Sequence, residues 1–181
     1  RQIVLIPDLQ HDFFPEFFGA GNLKQRRSAF ARFLGKAGAI GTISEYARET
    51  ILASPHNRCR DVFLMPPALK SRAAADEPAS RAIAERMAAI RSFFLYPANL
   101  WPHKNHERLL QAFEVFLKET GRNDALVLTG HPDGWKKLAE KYGHLPVHHL
   151  GFIGEGDLQF LYRHALALAF FSLYEGFGMP L

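Results

Sequence analysis

The chain has 181 residues, 48% of them hydrophobic, which is enough for one globular core or parts of two smaller ones and excludes a disordered chain. Its single cysteine, Cys59, excludes a framework of internal disulfides and a zinc site built from cysteine pairs. The net charge of +4 suits phosphate-bearing ligands or an anionic membrane surface, without selecting either. The longest apolar run, Leu166 to Leu173, is far shorter than the roughly 20 residues that a transmembrane helix needs.

The first 67 residues predict strand, long loop, helix, strand, helix and strand. The chain starts abruptly with a strand-like segment, Arg1 to Ile6, without the layout of a signal peptide, so we expect further residues upstream. Ser44 is typical of an N-cap, and the helix Glu45 to Ala53 follows it. Basic residues gather on the preceding predicted helix, where a solvated face and contact with a membrane or an acceptor are both open. These residues are Lys24, Arg26, Arg27, Arg32 and Lys36.

The composition changes in the middle of the chain. A short strand, Val62 to Met65, ends at Pro66. The next residues, Ala68 to Ser80, are rich in Ala, Pro, Ser and charge, which is typical of a linker. We therefore predict three parts: residues 1–67, a linker with a connecting helix at 68–92, and residues 93–181.

Strands and helices alternate in the third part. The predicted strands are Phe93 to Tyr96, Leu126 to Leu128, Val147 to Leu150 and Leu166 to Phe171. The predicted helices between them start near Asn105, Asp133 and Asp157, with the two aspartates as caps or first residues. The run from Leu166 to Phe171 is fully apolar and indicates a strand buried on both faces. This alternation predicts an α/β fold with a parallel sheet, whose ligands bind beyond the carboxyl ends of the strands.

The loop after the first of these strands carries a lysine at the start of a helix. Residues 97–106 read Pro-Ala-Asn-Leu-Trp-Pro-His-Lys-Asn-His, and free N–H groups at such a helix start favour an anion beside Lys104. A phosphate is the ligand this predicts. The alternative is that Asn105 caps the helix while Lys104 points to water. His103 and His106 lack a nearby carboxylate or cysteine and do not predict a metal site.

A glycine-rich segment follows the last strand. Residues 172–181 read Ser-Leu-Tyr-Glu-Gly-Phe-Gly-Met-Pro-Leu. Gly176 and Gly178 let the backbone approach a ligand closely, and Glu175 offers a pair of acceptors for sugar hydroxyls. A tight turn would explain a bare Gly-x-Gly equally well.

Together these two segments resemble the retaining glycosyltransferases of family four, the glycosyl transferases group 1, whose GT-B fold has two facing Rossmann-like domains. The resemblance implies that residues 1–67 belong to the acceptor-side domain and 93–181 to the donor-binding domain, both incomplete. It implies that Lys104 binds the donor diphosphate, and that Glu175 is the first Glu of a paired motif whose second Glu falls beyond Leu181. The backbone amides that would meet the diphosphate and the sugar are those around Gly176, Phe177, Gly178 and Met179.

The resemblance extends to other positions. Asn99 stands where many relatives carry an arginine that assists on the diphosphate, and Gly130 and Phe152 match positions near the nucleotide. Many relatives have His-Asp where this chain has Pro7 and Asp8. His11 is therefore the remaining imidazole candidate for the interdomain cleft, as a proton carrier or a hydrogen-bond partner of a sugar. Alternatively, His11 only braces its loop. The phenylalanines of this loop favour packing over a sugar-stacking platform; they are Phe13, Phe14, Phe17 and Phe18.

The function that the resemblance implies is transfer of a hexosyl unit, in the manner of a mannosyltransferase, from a nucleotide-diphosphate sugar to a glycan or lipid-linked acceptor. Retention, a part in surface polysaccharide synthesis, and a cytoplasmic location follow from it, with peripheral contact at the inner face of the membrane left open. Neither a cofactor nor a metal is expected, because Lys104 and backbone amides would stabilise the departing diphosphate. Front-face attack is the implied mechanism, and a covalent route through Glu175 is the alternative. A non-catalytic module that binds sugar nucleotides is the other function considered. Nucleic-acid binding is not expected, since no such motif occurs.

Overall fold

The computed structural model describes residues 2–68 and 79–178, which form two compact units. The first unit contains residues 2–68 and 174–178, and the second contains residues 79–173. Residues 174–178 therefore pack with the first unit, although they follow the last strand of the second one in sequence. The assignment of the two parts to acceptor and donor binding stays a prediction.

The first unit is a small parallel sheet with helices. Its elements are β1 (Ile3–Leu5), α1 (Gln10–Phe13), a 3₁₀ turn (Pro15–Phe17), α2 (Ala20–Lys36), β2 (Ala39–Thr42), α3 (Glu45–Ala53) and β3 (Val62–Leu64). The strand order is β1-β2-β3, and both pairs are parallel. This arrangement requires a crossover connection between successive strands, which α2 and α3 supply.

Apolar periodicity explains how the helices of this unit pack. Leu34 of α2 is buried, and Phe30 and Phe33 are half-buried against the same core, which includes Ile40 and Ile51. The five basic residues of α2 are exposed, so the helix has the two faces that its sequence predicts. Helix α3 begins as predicted, because the Ser44 Oγ accepts a hydrogen bond from the Ala47 N–H at 3.1 Å.

The second unit alternates helices and strands around a four-stranded parallel sheet. Its elements are α4 (Arg81–Ala88), β4 (Phe93–Pro97), a 3₁₀ turn (Pro102–Lys104), α5 (His106–Thr120), β5 (Ala125–Thr129), α6 (Trp135–Tyr142), β6 (Val147–His149), α7 (Glu155–His164) and β7 (Ala167–Leu168). The order is β6-β5-β4-β7 with all pairs parallel. The predicted α/β fold with a parallel sheet is confirmed.

Both faces of this sheet are covered. Side chains alternate along β5, so that Leu126 and Leu128 meet α5 and α6 on one face, while Val127 meets α4 and α7 on the other. Every residue of β5 is buried. Gly121 ends α5 in the left-handed conformation (φ 63°), as its position in the sequence predicts.

Two local predictions were wrong. The run Leu166 to Phe171 is not a strand buried on both faces. Within it, only Ala167–Leu168 form a strand, β7, which pairs with β4 and is itself at the edge of the sheet. Leu166 is 51% exposed. An apolar run reflects only the composition of the segment, whereas its burial depends on which elements pack beside it. Among the described residues, β7 has one neighbouring strand. Asp133 does not cap α6, because Gly134 occupies the N-cap with φ 89° and no side-chain hydrogen bond.

No helix within residues 2–68 and 79–178 is both long enough and apolar enough to cross a membrane.

Candidate functional site

Three loops at the carboxyl edge of the second unit's sheet contact one another, at the position where sheets of this type bind ligands. Asn99, after β4, accepts a hydrogen bond through Oδ1 from the backbone N–H of His131, after β5, at 2.7 Å. Gly130 donates its N–H to the carbonyl of Gly151, after β6, at 2.9 Å. The site predicted from the strand order is therefore a connected set of loops.

The backbone around Lys104 is anchored at several points. The buried Tyr96 donates its hydroxyl to the Lys104 carbonyl at 2.7 Å and lies 3.2 Å from the Ser172 Oγ. The Leu173 N–H donates to the His103 carbonyl at 2.7 Å. Because the backbone on both sides of Lys104 is tied, to β4 and to the segment after β7, the half-buried lysine is presented from an anchored backbone.

Helix α5 starts without a side-chain cap. Asn105 adopts a left-handed conformation (φ 57°, ψ 39°), and its side chain makes no capping hydrogen bond. Asn105 therefore occupies the N-cap position without capping α5 through its side chain, and the direction of the Lys104 side chain stays a prediction. The positive end of α5 begins at His106, two residues after Lys104, an arrangement that favours an anion.

Two of the predicted nucleotide-site residues shape the loops. Gly130 has φ 119°, and a Cβ there would lie 2.8 Å from the carbonyl carbon and oxygen of Ala98, so glycine is required. The Asn99 side chain braces the neighbouring loop through the His131 N–H, a role that sequence reasoning missed. An asparagine beside a loop gives no signal of which backbone group it will meet.

Phe152 is the most exposed large apolar residue at this edge, with 86% of its surface accessible. The preceding Gly151 has φ 75° and donates its N–H to the His149 Nδ1 at 3.1 Å. His149 also stacks on Trp135, with 5.1 Å between ring centroids. Burial lowers the pKa of His149, which favours the neutral ring that this acceptor role requires. His149 therefore supports the loop that carries Phe152.

The two histidines beside Lys104 differ in environment. His106 is 4% exposed and packs against Tyr96, and burial lowers its pKa to about 4, so it is a neutral core residue. His103 is half-buried and lies against the ring of Trp101. Within the described ranges, no three His, Cys, Asp or Glu side chains group as metal ligands. The expectation of a metal-free site itself stays a prediction.

In the first unit, the segment around Glu175 lies beside Asp8. A Cβ on Gly176 would come within 3.0 Å of the Asp8 Oδ2, so these two predicted site residues are adjacent. Asp8 accepts a hydrogen bond from the Gln10 N–H through its other oxygen at 2.9 Å. Glu175 is half-buried, Phe177 is 38% exposed and Gly178 has φ 79°. The fourth predicted amide position, Met179, lies outside the described residues.

His11 is buried in the first unit, with 1% of its surface exposed. Its ring lies 4.5 Å from that of Phe30 and 6.4 Å from that of Phe18, and Nε2 is 3.7 Å from an Asp12 oxygen. Burial lowers its pKa, because the charged ring would lose its hydration. This environment favours the interpretation in which His11 braces its loop. The phenylalanines of the loop pack as expected, except that Phe13 is 48% exposed.

Comparisons with known proteins agree with this fold. The sequence model of the glycosyl transferases group 1 matches residues 85–181. The O-antigen chain mannosyltransferase B of Escherichia coli is 25% identical over all of this chain and 49% of its own length. The serotype-specific mannosyltransferase WbdA of E. coli is 37% identical over 49% of this chain and 12% of its own length. The chain therefore spans about half of the first relative and much less of the second.

Solved structures resemble the chain over nearly its whole length. WaaG, a glycosyltransferase involved in lipopolysaccharide biosynthesis, covers 98% of this chain with 52% of its own, at 18% identity and a TM-score of 0.72. HepE of Anabaena, in complex with UDP-glucose, covers 96% with 47% of its own, at 18% identity and a TM-score of 0.69.

The parallel sheets and their likeness to these structures show the GT-B fold. The matched family model covers more than half of the chain, and the chain belongs to the glycosyl transferases group 1. The resemblance identified from the loops around Lys104 and Glu175 is thereby confirmed. The roles of the individual residues stay predictions.

Proposed function

We propose that the protein transfers a mannosyl unit from a nucleoside-diphosphate sugar to a growing glycan or lipid-linked acceptor, with retention at the anomeric carbon. Two mannosyltransferases among its relatives support the sugar, and the name of one supports a glycan acceptor of the O-antigen type. The observation that carries the proposal is the anchored Lys104 peptide directly before the uncapped start of α5.

Lys104 and backbone amides would stabilise the diphosphate as it departs. A fixed cation at a helix start stabilises developing negative charge without reorganisation, so neither a metal nor a cofactor is required for this step. Asn99 adds no charge, and its Oδ1 is occupied by the His131 N–H. The second unit therefore relies on Lys104 where many relatives, by the resemblance, have two cations.

Glu175 is proposed to hold hydroxyls of the donor sugar, and the departing phosphate to take the acceptor proton in a front-face reaction. Asp8, adjacent to Gly176, is a further candidate for contact with substrate. The resemblance supports a cytoplasmic location, and the five exposed basic residues of α2 support peripheral contact at an anionic membrane surface.

The test is titration of the chain with GDP, UDP and ADP, each free and as the mannosyl derivative, by ligand-observed NMR. We expect one base to bind saturably and Lys104→Ala to weaken that binding about ten- to a hundredfold, the range for a lost charged hydrogen bond. Lys118→Ala is the matched control at the far end of α5, because Lys118 is exposed and forms a surface ion pair with Glu114, one turn earlier in the same helix. Equal effects of the two variants, or no binding by the folded chain, would contradict the proposal.

Retention has its own readout. When an acceptor is found, the anomeric configuration of the first product, followed by proton NMR before any equilibration, must equal that of the donor. A product with inverted configuration would exclude both the front-face mechanism and the covalent alternative, because each of them gives retention.

A further inference from the structure

The hydroxyl of Ser44 links two segments of the first unit that are far apart in sequence. Its Oγ donates a hydrogen bond to the carbonyl of Gly176 at 2.5 Å and accepts one from the Ala47 N–H at 3.1 Å. A serine hydroxyl has one donor and two acceptor sites, so both bonds can exist together. Ser44 therefore caps α3 and also holds the peptide directly after Glu175.

Gly176 packs closely against two neighbouring segments. A Cβ on Gly176 would lie 3.0 Å from the Asp8 Oδ2 and 3.1 Å from the Ile43 Cδ1, which is tighter than ordinary contacts. The segment thus lies directly against the loop after β1 and the strand end that precedes Ser44. A side chain at position 176 would require these neighbours to move, and the Ser44 hydroxyl holds the Gly176 carbonyl.

The residue before Glu175 is held in the same way. Tyr174 is buried, stacks on Phe13 at 5.6 Å between ring centroids, and meets Tyr46 at 5.8 Å and Phe14 at 5.9 Å edge-on. Aromatic contacts of this kind are directional and fix the orientation of the ring. Glu175 therefore lies between two positions that the first unit holds independently.

We propose that Ser44 is a positioning residue, which sets the orientation of Glu175 toward hydroxyls of the donor sugar. The inference rests on the proposed function, because it assumes that Glu175 contacts the sugar. Loss of the Gly176 contact would weaken the part of the affinity that the sugar supplies more than the part that the nucleotide supplies, because Lys104 still holds the diphosphate.

Ser44 could instead act only as the N-cap of α3. Three variants distinguish this structural role from the proposed positioning role. Ser44→Ala removes both hydrogen bonds. Ser44→Asp keeps an acceptor for the Ala47 N–H but has no donor for the Gly176 carbonyl. Ser44→Thr keeps both.

The measurement is the ratio of the Kd of the free nucleoside diphosphate to that of its mannosyl derivative, for the base that the full chain binds. We expect Ser44→Ala and Ser44→Asp to reduce this ratio about three- to tenfold, the effect of one hydrogen bond, because the Kd of the mannosyl derivative rises more than that of the free nucleotide. Ser44→Thr should restore the ratio. Ser54→Ala is the matched control, since Ser54 lies at the other end of α3 and its buried Oγ has no hydrogen-bond partner among the described residues.

Glu175→Gln completes a double-mutant cycle. If Ser44 acts through Glu175, the double variant with Ser44→Ala should lower the ratio no further than Glu175→Gln alone. Additive effects, or a normal ratio in Ser44→Asp, would overturn the inference while the proposed function stands. A ratio of one in the unaltered chain would also overturn it. Failure of the unaltered chain to bind any nucleotide would instead contradict the proposed function and remove this inference with it.

Discussion

At the scale of single residues, Gly130 shows how strictly the loop after β5 depends on the absence of a side chain. The backbone has φ 119°, where residues other than glycine are strained, and the position of a Cβ is occupied by the Ala98 carbonyl. Since Gly130 also donates to the Gly151 carbonyl, it joins all three loops of the site's edge.

We expect Gly130→Ala to lower the free energy of unfolding by about 2–4 kcal/mol, combining backbone strain with a clash against the Ala98 peptide. Gly134→Ala should cost only about 1 kcal/mol, because its φ of 89° is equally unusual but nothing lies within 4 Å of an added Cβ. Urea unfolding at neutral pH measures both values. Similar losses in the two variants would show that strain alone, without the clash, determines the effect.

The side chains that brace loops could not be predicted from the sequence. Lys104 was found because its position before a helix is itself a chemical signal. The hydrogen bonds that Asn99 forms with His131 and Ser44 forms with Gly176 were not predicted, because each joins a side chain to a backbone group more than thirty positions away. Local patterns identify where a ligand-binding loop lies, whereas the contacts that hold it depend on the completed fold.

At the scale of elements, strand β5 was predicted correctly from the sequence, whereas the prediction for β7 was wrong. The run from Leu126 to Leu128 predicts a strand, and in the structure it is buried between β4 and β6. The equally apolar run from Leu166 to Phe171 pairs over two residues only. Apolarity predicts that a segment seeks burial, but the number of neighbouring strands is not encoded in the segment itself.

The N-cap of α4, Ser80, gives a prediction at the scale of elements. The Ser80 Oγ accepts from the Ile83 N–H at 3.3 Å and donates to the Asp157 carboxylate at 3.1 Å, and its N–H donates to the same carboxylate at 2.6 Å. Ser80→Ala should therefore destabilise the protein by about 1 kcal/mol, as for other N-caps.

Asp133→Ala is the comparison, because the sequence predicts that Asp133 caps α6 and the structure gives that position to Gly134. Its exposed carboxylate lies 3.3 Å from the His131 Nδ1, a contact at the surface, so we expect a change within about 0.5 kcal/mol. Both values come from urea unfolding, and hydrogen exchange in the first turns of α4 and α6 shows where the change occurs. A loss at Asp133 as large as that at Ser80 would contradict the observed cap.

At the scale of the whole molecule, both units contain buried histidines. His11 lies in the first unit, and His106 and His149 lie in the second; burial lowers the pKa of each. The charged form of each ring is disfavoured in the folded chain, whereas the unfolded chain takes up protons at the ordinary pKa of about 6.5. Mild acid should therefore destabilise both units.

For His106 the pH range follows from its pKa of about 4 in the folded protein. Above pH 6.5 the ring is neutral in both states and stability is at its full value. As the pH falls from 6.5 to 4, the unfolded chain binds a proton that the folded chain does not, so the free energy of unfolding declines, by roughly 3 kcal/mol in total from this residue. Below pH 4 both states are protonated, and the contribution of His106 no longer changes.

His106→Phe should flatten this part of the profile, because phenylalanine fills the buried site beside Tyr96 and does not titrate. His148→Gln is the control for the loss of an exposed imidazole. The measurement is the free energy of unfolding in urea at several pH values from 7.5 to 4. Only the slope decides the outcome, because the larger ring will also alter packing at every pH. A slope in His106→Phe equal to that of the unaltered chain would show that the buried imidazole takes up its proton in the folded state as readily as in the unfolded one.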